Sequence, residues 1–539
     1  MKLIEHLKIF MSTIDNEVKK RRTFAIISHP DAGKTTVTEK LLLLGGAIQV
    51  AGTVKARKSA RHATSDWMEI EKQRGISVTS SVMQFDYKGH IINLLDTPGH
   101  EDFSEDTYRT LSAVDSAVMI IDAARGVEAR TIKLLEVCRL RKTPVITFVN
   151  KLDRNGREPL DLLDEIESVL NIKCCPITWP LGSGQHLEGI FDFRKRVVLP
   201  YDRSLKPTQE KPEWVSLNVA HDDKRFKEGM SKLEDEIALL DGAGNEFTNE
   251  AYLSGEITPV FFGTALRTFG LTEMLDMFID IAPSPLPRPT NSANTVDPTS
   301  SKFSGLIFKI QANMDPKHRD RIAFMRICSG KYQDGQKSFN VRLGREIKLS
   351  GAVQFMARSR GATGSAWPGD IIGLHNHGTI QIGDTFTEGD KFMFSGIPSF
   401  APDLFRQVRS LDPLRNKALL KGLTQLCEEG AVQVFNYKNR SEIVVGAIGQ
   451  LQFEVVAWRL KNEYSVECLF EGSQVQSARW VVSEDNNSLQ KLELHSPSNM
   501  AIDGAGQLVY LAPSMANLKV TQDRCPLVSF RSTREMLGG

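Results

Sequence analysis

The sequence has few of the features that mark an extracellular, metal-bound or membrane-spanning protein. Its cysteines are odd in number and form no C-x-x-C pair, which argues against a disulfide framework or a zinc site and fits a reducing cytoplasm. The apolar stretch Leu3–Met11 is too short and too interrupted by charge to cross a membrane, and no long apolar run occurs elsewhere. We therefore expect a cytoplasmic protein without a membrane partner, beginning with an amphipathic helix over residues 1–21. The seven cysteines are Cys138, Cys174, Cys175, Cys328, Cys427, Cys468 and Cys525.

A strong net charge is also absent. The 539 residues include 67 Lys and Arg against 66 Asp and Glu, which gives a formal net charge of +1. A composition of 41% hydrophobic and 25% charged residues is typical of a soluble globular protein, and the length suggests several domains. The exception is segment 301–360, which holds thirteen Lys and Arg against four Asp and Glu. This excess indicates either a solvated basic face or a contact with nucleic acid.

A phosphate-binding pattern lies near the start of the chain. The apolar run Phe24–Ile27 predicts a buried parallel strand, and a tight turn leads to Gly-Lys-Thr at 33–35 and a predicted helix. Backbone N–H groups at such a helix N-terminus favour an anion. Lys34 can then reach the β- and γ-phosphates of a nucleotide, and the Thr35 hydroxyl can ligate Mg²⁺. Ser28 stands where the usual P-loop has its first glycine, and serine lacks the free access to positive φ that glycine has.

A second pattern follows a predicted strand at Ile91–Leu95. The next five residues, 96–100, are Asp-Thr-Pro-Gly-His. Asp96 at the strand end would serve Mg²⁺ through water, and the Gly99 N–H would donate to the γ-phosphate. His100 would then stand beside that phosphate, where an imidazole can orient the attacking water and stabilise developing charge.

The polar segment 51–81 between these two patterns predicts a switch loop. Such a loop would order when Mg²⁺ and the γ-phosphate are present and would be released after hydrolysis. Ser77 is its candidate Mg²⁺ ligand.

A third pattern indicates which base is bound. A predicted strand at 145–149 runs into Asn-Lys-Leu-Asp at 150–153. The Asp153 carboxylate can accept from both N1–H and the exocyclic N2–H₂ of guanine, whereas adenine offers no such pair of donors on that edge. Asn150 can reach N7 and tie the loop together, and the Lys151 stem can cover the base plane. Another predicted strand ends in Gly-Thr-Ala at 263–265, whose backbone N–H groups could contact O6.

The four motifs at 28–35, 96–100, 150–153 and 263–265 lie at the carboxyl ends of predicted strands, where open α/β sheets bind ligands. Their joint occurrence, in this order, predicts a GTP/GDP site with Mg²⁺. The catalytic candidates are Lys34 and His100, and the candidate Mg²⁺ ligands are Thr35, Ser77 and Asp96. The candidate nucleotide-binding residues are Ser28, His29, Pro30, Asp31, Ala32, Gly33, Lys34, Thr35, Thr36, Asp96, Thr97, Pro98, Gly99, His100, Asn150, Lys151, Leu152, Asp153, Thr264 and Ala265.

These segments resemble those of the translational GTPases, the family of elongation factors Tu and G. The similarity rests on residues 28–35, 74–77, 96–100 and 150–153. The family's switch hydroxyl is usually Thr, whereas Ser77 stands here. This departure, the missing first P-loop glycine and the Ser-Asp-Trp-Met-Glu of residues 65–69 are similar to the release-factor branch of the family.

The resemblance covers nearly the whole chain and implies a function. In the family, the histidine after Asp-x-x-Gly is catalytic and is positioned by the ribosome, and this role carries over to His100. We expect slow intrinsic GTP hydrolysis that the ribosome stimulates, because the sequence shows no evident arginine finger of its own. The implied partners are the ribosome and class I release factors, which a monomeric protein would remove from the ribosome after peptide release.

The chain pattern predicts an α/β P-loop GTPase domain with a parallel sheet, followed by a small β-barrel and a ferredoxin-like α+β domain. We place the GTP-binding domain at 22–282, with an inserted subdomain at about 176–255 because the gap between the last two motifs is too long for one crossover. A proline-rich linker at 283–300 leads to the barrel at 301–390. The order β-α-β-β-α-β then predicts the ferredoxin-like unit, within 391–539 and with a C-terminal extension whose last residues we expect to be loose.

Three alternatives remain open from the sequence. A translocase or ribosome protection GTPase similar to elongation factor G would carry further C-terminal domains, for which the roughly 70 residues after the ferredoxin-like unit are short. A GTP-dependent interaction switch that does not hydrolyse GTP is disfavoured by His100. A motor-type ATPase is disfavoured by Asn150 and Asp153.

Overall fold

The computed structural model describes residues 12–48, 80–98, 100, 102, 104–204, 212–226, 229–312, 321–356 and 359–535. Among the helices in these ranges, none is long and apolar enough to cross a membrane. All seven cysteines are described and are free thiols. Burial raises the pKa of Cys138 to about 12, so this thiol stays protonated and unreactive at neutral pH.

The N-terminal domain is built on a mostly parallel sheet. Its central strands are buried along their whole length, because helices cover both faces. The strand order is β2-β3-β1-β4-β5-β11-β6, in which β2 is antiparallel to β3 and the other pairs are parallel. The strands of this domain are β1 (Arg21–Ser28), β2 (Ser81–Tyr87), β3 (His90–Asp96), β4 (Ser116–Asp122), β5 (Val145–Asn150), β6 (Lys173–Pro176), β7 (Thr178–Leu181), β8 (Gly189–Asp192), β9 (Val197–Pro200), β10 (Val215–Ser216) and β11 (Ile257–Phe262).

Helices follow the strands of this sheet in alternation. Strands β7 to β10 form a separate four-stranded antiparallel sheet, in the segment where we predict an inserted subdomain. Of the predicted N-terminal helix, residues 1–11 lie outside the described residues; residues 12–19 are helical, and β1 begins at Arg21. The helices of the domain are α1 (Lys34–Leu44), α2 (Ser104–Leu111), α3 (Ala129–Leu140), α4 (Pro159–Leu170), α5 (Leu217–Asp222), α6 (Gly229–Ala243), α7 (Asn249–Ser254) and α8 (Leu271–Ile281).

The central domain consists of antiparallel strands around a core of its own. A short strand pair precedes it in the proline-rich segment. The strands are β12 (Arg288–Pro289), β13 (Thr295–Val296), β14 (Ser304–Ala312), β15 (Arg321–Ser329), β16 (Tyr332–Gln333), β17 (Lys337–Asn340), β18 (Arg345–Lys348), β19 (Val353–Met356), β20 (Ser359–Ala362), β21 (Ser365–Ala366), β22 (Ile371–Asn376) and β23 (Thr385–Thr387).

Buried ion pairs join the central domain to the N-terminal domain. Arg21 of β1 donates to Asp370 at 2.9 Å, and Arg326 of β15 donates to Asp115 at 2.6 Å. Strand β19 also pairs with β2 at Met356 and Gln84, so that one continuous sheet runs through both domains. These contacts hold the central domain against β2, the edge strand of the N-terminal sheet.

The internal ion pairs account for part of the basic excess of segment 301–360. Among the described residues of the segment, five cationic side chains pair with carboxylates outside it, so the positive face available to nucleic acid is smaller than the sequence indicates. The five pairs are Lys302–Asp390, Lys309–Asp106, Arg321–Glu428, Arg326–Asp115 and Arg342–Asp384.

The C-terminal domain contains the predicted ferredoxin-like order and continues it. Its eight-stranded sheet runs β28-β25-β27-β26-β30-β31-β29-β32, so the extension adds four strands to the edge at β26. The elements are β24 (Pro398–Phe400), β25 (Leu404–Ser410), α9 (Asn416–Glu428), β26 (Gln433–Tyr437), β27 (Ile443–Ala447), α10 (Gln450–Tyr464), β28 (Cys468–Gly472), β29 (Ser477–Val482), α11 (Asn486–His495), β30 (Met500–Asp503), β31 (Leu508–Ala512), α12 (Met515–Arg524), β32 (Ser529–Arg531) and β33 (Thr533–Glu535).

The last four residues, 536–539, which we expect to be loose, lie outside the described residues. Strand β33, just before them, pairs antiparallel with β24, which leads from the barrel into the C-terminal domain. Arg534 also reaches Asp503 at 3.2 Å and lies over the Trp480 ring. The predicted fold class, a P-loop α/β domain followed by a β-barrel and a ferredoxin-like domain, is confirmed.

Candidate nucleotide site

The P-loop connects β1 to α1 through backbone that only a few residue types adopt readily. Gly33, directly before α1, has φ +96°, and Asp31 has φ +65°. Ser28, by contrast, is not among the residues with positive φ. Serine in place of the first P-loop glycine therefore causes no backbone strain here, and its hydroxyl donates to the His29 carbonyl at 2.9 Å.

The phosphate end of the site contains one buried ion pair. Lys34, the first residue of α1, donates to Asp96 at the end of β3, and both side chains are buried. Parallel pairing of β1 with β3 aligns Ile26 with Asp96, which brings the two motifs to the same edge of the sheet. The Thr97 hydroxyl donates to the Ile26 carbonyl at 2.7 Å and fixes the loop after β3.

The oxygen donors at this point suit Mg²⁺. Asp96 supplies a carboxylate, and Thr35, the half-buried second residue of α1, supplies a hydroxyl next to Lys34 in the sequence. The described residues contain no group of three or more His, Cys, Asp or Glu that could hold a metal. Mg²⁺ is usually bound by one or two protein ligands together with substrate phosphates and water. Ser77, the third predicted ligand, lies outside the described residues, as does Gly99.

His29 contributes no positive charge to the P-loop. Burial lowers the pKa of its imidazole more than the nearby Glu128 raises it. The Nδ1 atom lies 2.6 Å from the Pro30 carbonyl, which makes Nδ1 the protonated nitrogen of a neutral ring. The cation of the phosphate end is therefore Lys34.

Asn150 ties three loops of the site together. Its side-chain N–H₂ donates to the Ala32 carbonyl of the P-loop at 2.8 Å. Its side-chain oxygen accepts from the backbone N–H of Lys151 at 2.8 Å and of Ala265 at 2.9 Å. This is the loop-tying role predicted for Asn150.

The base end is completed by Lys151 and Asp153. Lys151 has φ +73° and donates to the Asp31 carbonyl and, at 2.7 Å, to Asp122. Burial would raise the pKa of Asp122, but this hydrogen bond from Lys151 helps to lower it below its usual value. Asp153 accepts from the Thr264 hydroxyl at 2.6 Å through one oxygen. The predicted P-loop and base-recognition residues are thus brought to one edge of the sheet.

His100 lies on the loop between β3 and α2, with a side chain 40% exposed. Its Nδ1 is 3.1 Å from the Asp102 carboxylate and 3.3 Å from the Asp102 backbone nitrogen. The loop is held from the other side by Arg130 of α3, which donates to the Pro98 carbonyl at 2.9 Å. Sequence reasoning did not find Arg130, because a single arginine on a helix has no local pattern that would mark it.

Helix α2, which follows His100, is bound by both other domains. Lys309 of β14 donates to the Ser80 carbonyl at 2.8 Å and to Asp106 of α2 at 3.1 Å. Arg109 of α2 donates to the Gly430 carbonyl of the C-terminal domain at 2.9 Å. The Phe400 ring of β24 packs edge-on against Tyr108 at 4.9 Å. The segment carrying His100 is therefore in contact with every domain.

The charge of Asp106 is stabilised within this cluster. Burial alone would raise the pKa of its carboxyl, but Lys309, Arg109 and the hydrogen bonds from Ser80 outweigh burial and lower it. Ser80 donates to Asp106 through both its backbone N–H, at 2.9 Å, and its hydroxyl. Ser80 is the first described residue after the gap that holds most of the predicted switch loop, so Asp106 connects the end of that loop to α2.

Comparisons with known proteins agree with this architecture. Residues 19–284 match the sequence model of the elongation factor Tu GTP binding domain, and residues 302–389 match elongation factor G domain 2. Residues 394–522 match the class II release factor RF3 C-terminal domain. A crystal structure of a protein from Thermus thermophilus is similar in fold, with a TM-score of 0.68 and 22% sequence identity over 87% of this chain and 71% of that one.

The fold and the family matches together define a GTPase with the domain arrangement of translation factors. The chain belongs to the translational GTPases. Within that family its C-terminal domain is of the class II release factor RF3 type, which confirms the resemblance seen in the sequence. Membership implies GTP and GDP as ligands, with Mg²⁺ as the usual metal, and an interaction with the ribosome.

Proposed function

We propose that this protein is a ribosome-stimulated GTPase of translation termination that promotes dissociation of class I release factors after peptide release, the role of a peptide chain release factor 3. The observation that carries the proposal is the release-factor type of C-terminal domain, matched over residues 394–522 and docked on α2. A nucleotide-dependent movement of α2 would be transmitted directly to that domain. The proposed setting is the cytoplasm, and the proposed state is a monomer.

The proposed reaction is in-line attack of water on the γ-phosphorus of GTP. A bond forms between the water oxygen and the γ-phosphorus, and the bond from that phosphorus to the β–γ bridging oxygen breaks. The products are GDP and inorganic phosphate, which takes up the water proton. Lys34 neutralises charge on the phosphate oxygens, and His100 orients the water.

The protein residues proposed to serve the metal are Thr35, Asp96 and Ser77. When bound there, Mg²⁺ would neutralise phosphate charge. Asp96 already accepts from Lys34, so the carboxylate is held at the phosphate end of the site by a buried partner. Asp153 and the loop that Asn150 ties together would select guanine.

Stimulation by the ribosome fits the position of His100. Its side chain is substantially exposed on a loop next to a helix that the other domains contact, so a large partner can reach it. External completion of such a site is worth roughly 10³–10⁵ in rate in other GTPases. We therefore propose slow hydrolysis by the isolated protein and fast hydrolysis on the ribosome.

The test uses ribosomes halted after peptide release with a fluorescent class I release factor bound. This protein is added with GTP, with GDP or with a non-hydrolysable GTP analogue, and loss of the label is timed while a second assay follows messenger-RNA position. Lys34→Ala is the matched control, since it keeps the C-terminal domain and removes the phosphate cation. The proposal is supported if wild type with GTP speeds label release without moving the messenger RNA and Lys34→Ala does not speed it. Movement of the messenger RNA without label release would assign the protein to translocation instead.

A further inference from the structure

Asp102 stands between the candidate catalytic histidine and the C-terminal domain. One of its carboxylate oxygens is 3.1 Å from His100 Nδ1. The other accepts a hydrogen bond of 2.6 Å from the backbone N–H of Leu451, in the first turn of α10. The Asp102 carboxylate therefore contacts both His100 and a residue of α10 that lies 349 residues later in the chain.

The helix end is shaped to admit this carboxylate. Gly449, directly before α10, has extended backbone angles (φ −139°, ψ 165°) that any residue can adopt. Its lack of a side chain is explained by space instead, because an added Cβ would overlap the Asp102 carboxylate. The positive end of the α10 dipole also favours a carboxylate at this point.

The contacts with His100 fix the direction of its ring. The Asp102 backbone N–H donates to Nδ1 at 3.3 Å, and the Asp102 carboxylate lies 3.1 Å from the same nitrogen. An imidazole held at Nδ1 by both groups of one residue has a defined orientation, which is what placing a water requires.

We propose that Asp102 is a positioning residue for GTP hydrolysis, which fixes the ring orientation of His100 and links it to the placement of α10. The inference rests on the proposed role of His100. A displacement of the C-terminal domain would pull α10 away from Asp102 and release the histidine. Hydrolysis would thus be fast only when the C-terminal domain is docked against the loop.

Glycine-to-alanine variants test this without altering any functional side chain of the site. Gly449→Ala places a Cβ against the Asp102 carboxylate, whereas Gly472→Ala, in the same domain, meets nothing within 4 Å. Both are measured in the full chain for ribosome-stimulated GTP hydrolysis and for binding of fluorescent GDP. Gly449→Ala is expected to lower kcat about tenfold or more, with KM for ribosomes and GDP affinity within about twofold of wild type. Gly472→Ala is expected to match wild type.

Asp102 variants separate positioning from structural support. Asp102→Asn keeps an oxygen for the Leu451 N–H but loses the charge beside His100, so it should lower kcat while leaving the thermal midpoint unchanged. Asp102→Ala should lower kcat at least as much. In the Asp102→Ala background, Gly449→Ala should change kcat by less than about twofold, because the carboxylate it displaces is gone.

The outcomes distinguish this inference from the function on which it depends. If His100→Ala lowers ribosome-stimulated hydrolysis but Asp102→Asn and Gly449→Ala do not, the positioning role is refuted and the GTPase mechanism stands. If Gly449→Ala or Asp102→Asn raises hydrolysis, Asp102 restrains His100 instead, and the inference is wrong. If His100→Ala itself has no effect, the proposed mechanism fails.

Discussion

Replacing Lys309 by methionine tests whether one buried charge pair holds the central domain to α2. The Lys309 Nζ lies 3.1 Å from Asp106, with side-chain exposures of 4% and 19%. Removing one partner of a buried pair costs about 3–5 kcal/mol, because the remaining charge is left uncompensated. Ser80 would still donate to Asp106, so we expect a loss near the lower limit, about 3 kcal/mol. For a domain of this size, that corresponds to a fall in thermal midpoint of roughly 6–12 °C.

The chain supplies a matched control for this substitution. Lys302 also lies 3.1 Å from an aspartate, Asp390, but its side chain is 64% exposed. Exposed pairs contribute about 0–1 kcal/mol, so Lys302→Met should have little effect. The assay is calorimetric unfolding of the full chain at pH 7, supported by the double variant Lys309→Met/Asp106→Asn, which removes the stranded charge and should recover most of the loss. Equal midpoints for the two lysine variants, within about 2 °C, would refute the reasoning.

Three further predictions concern the charge of Asp106, base selection by Asp153 and the pairing of β33 with β24. The pKa of Asp106 is lower in the folded protein than its ordinary value of 3.8, so its stabilising contribution is fully present above pH 3.8 and is lost as pH falls through the folded pKa. The difference in thermal midpoint between wild type and Lys309→Met should therefore shrink below about pH 4 and stay constant between about pH 5 and 8. Asp153→Asn should weaken binding of fluorescent GDP about 10- to 100-fold, because one of the two oxygens that accept from guanine N–H groups becomes an N–H₂ donor, and should bind xanthosine diphosphate better than wild type does. An unchanged preference would contradict base selection by Asp153. Deleting residues 533–539 removes β33 and should speed protease cleavage at β24, as followed by mass spectrometry. Deleting only residues 536–539 is the control and should leave the cleavage rate unchanged. Equal cleavage of both forms would show that β33 does not protect β24.

The strand-end motifs of the candidate nucleotide site could be located from sequence because the residues of each motif are adjacent in the chain. Asn150 and Lys151 follow one another after a buried strand, and the P-loop pattern at 28–35 places Lys34 at a helix start. Only Ser28 raised a difficulty, and the observed backbone removes it, since the left-handed residues are Asp31 and Gly33. Strand-end motifs can be located from sequence alone because parallel pairing brings them together.

The contacts between domains could not be predicted in this way. Lys309 and Asp106 are 203 residues apart, and Arg109 and Gly430 are 321 apart, so no local periodicity connects them. In the sequence, Gly449 is an ordinary residue before a helix; only the structure shows that a Cβ there would overlap the Asp102 carboxylate. Likewise, the basic excess at 301–360 looked like a surface feature, but part of it is buried against carboxylates of the N-terminal domain. Contacts between segments that are far apart in the sequence determine where these side chains lie.

Single-turnover hydrolysis of GTP, with and without ribosomes, tests whether His100 is required for ribosome-stimulated catalysis. Wild type and His100→Ala would be compared, with binding of fluorescent GDP as the control for an intact nucleotide site. We expect slow hydrolysis by both proteins alone, strong stimulation of wild type by ribosomes, and loss of nearly all of that stimulation in His100→Ala with GDP affinity unchanged. Ribosome-stimulated hydrolysis by His100→Ala at the wild-type rate would contradict this expectation.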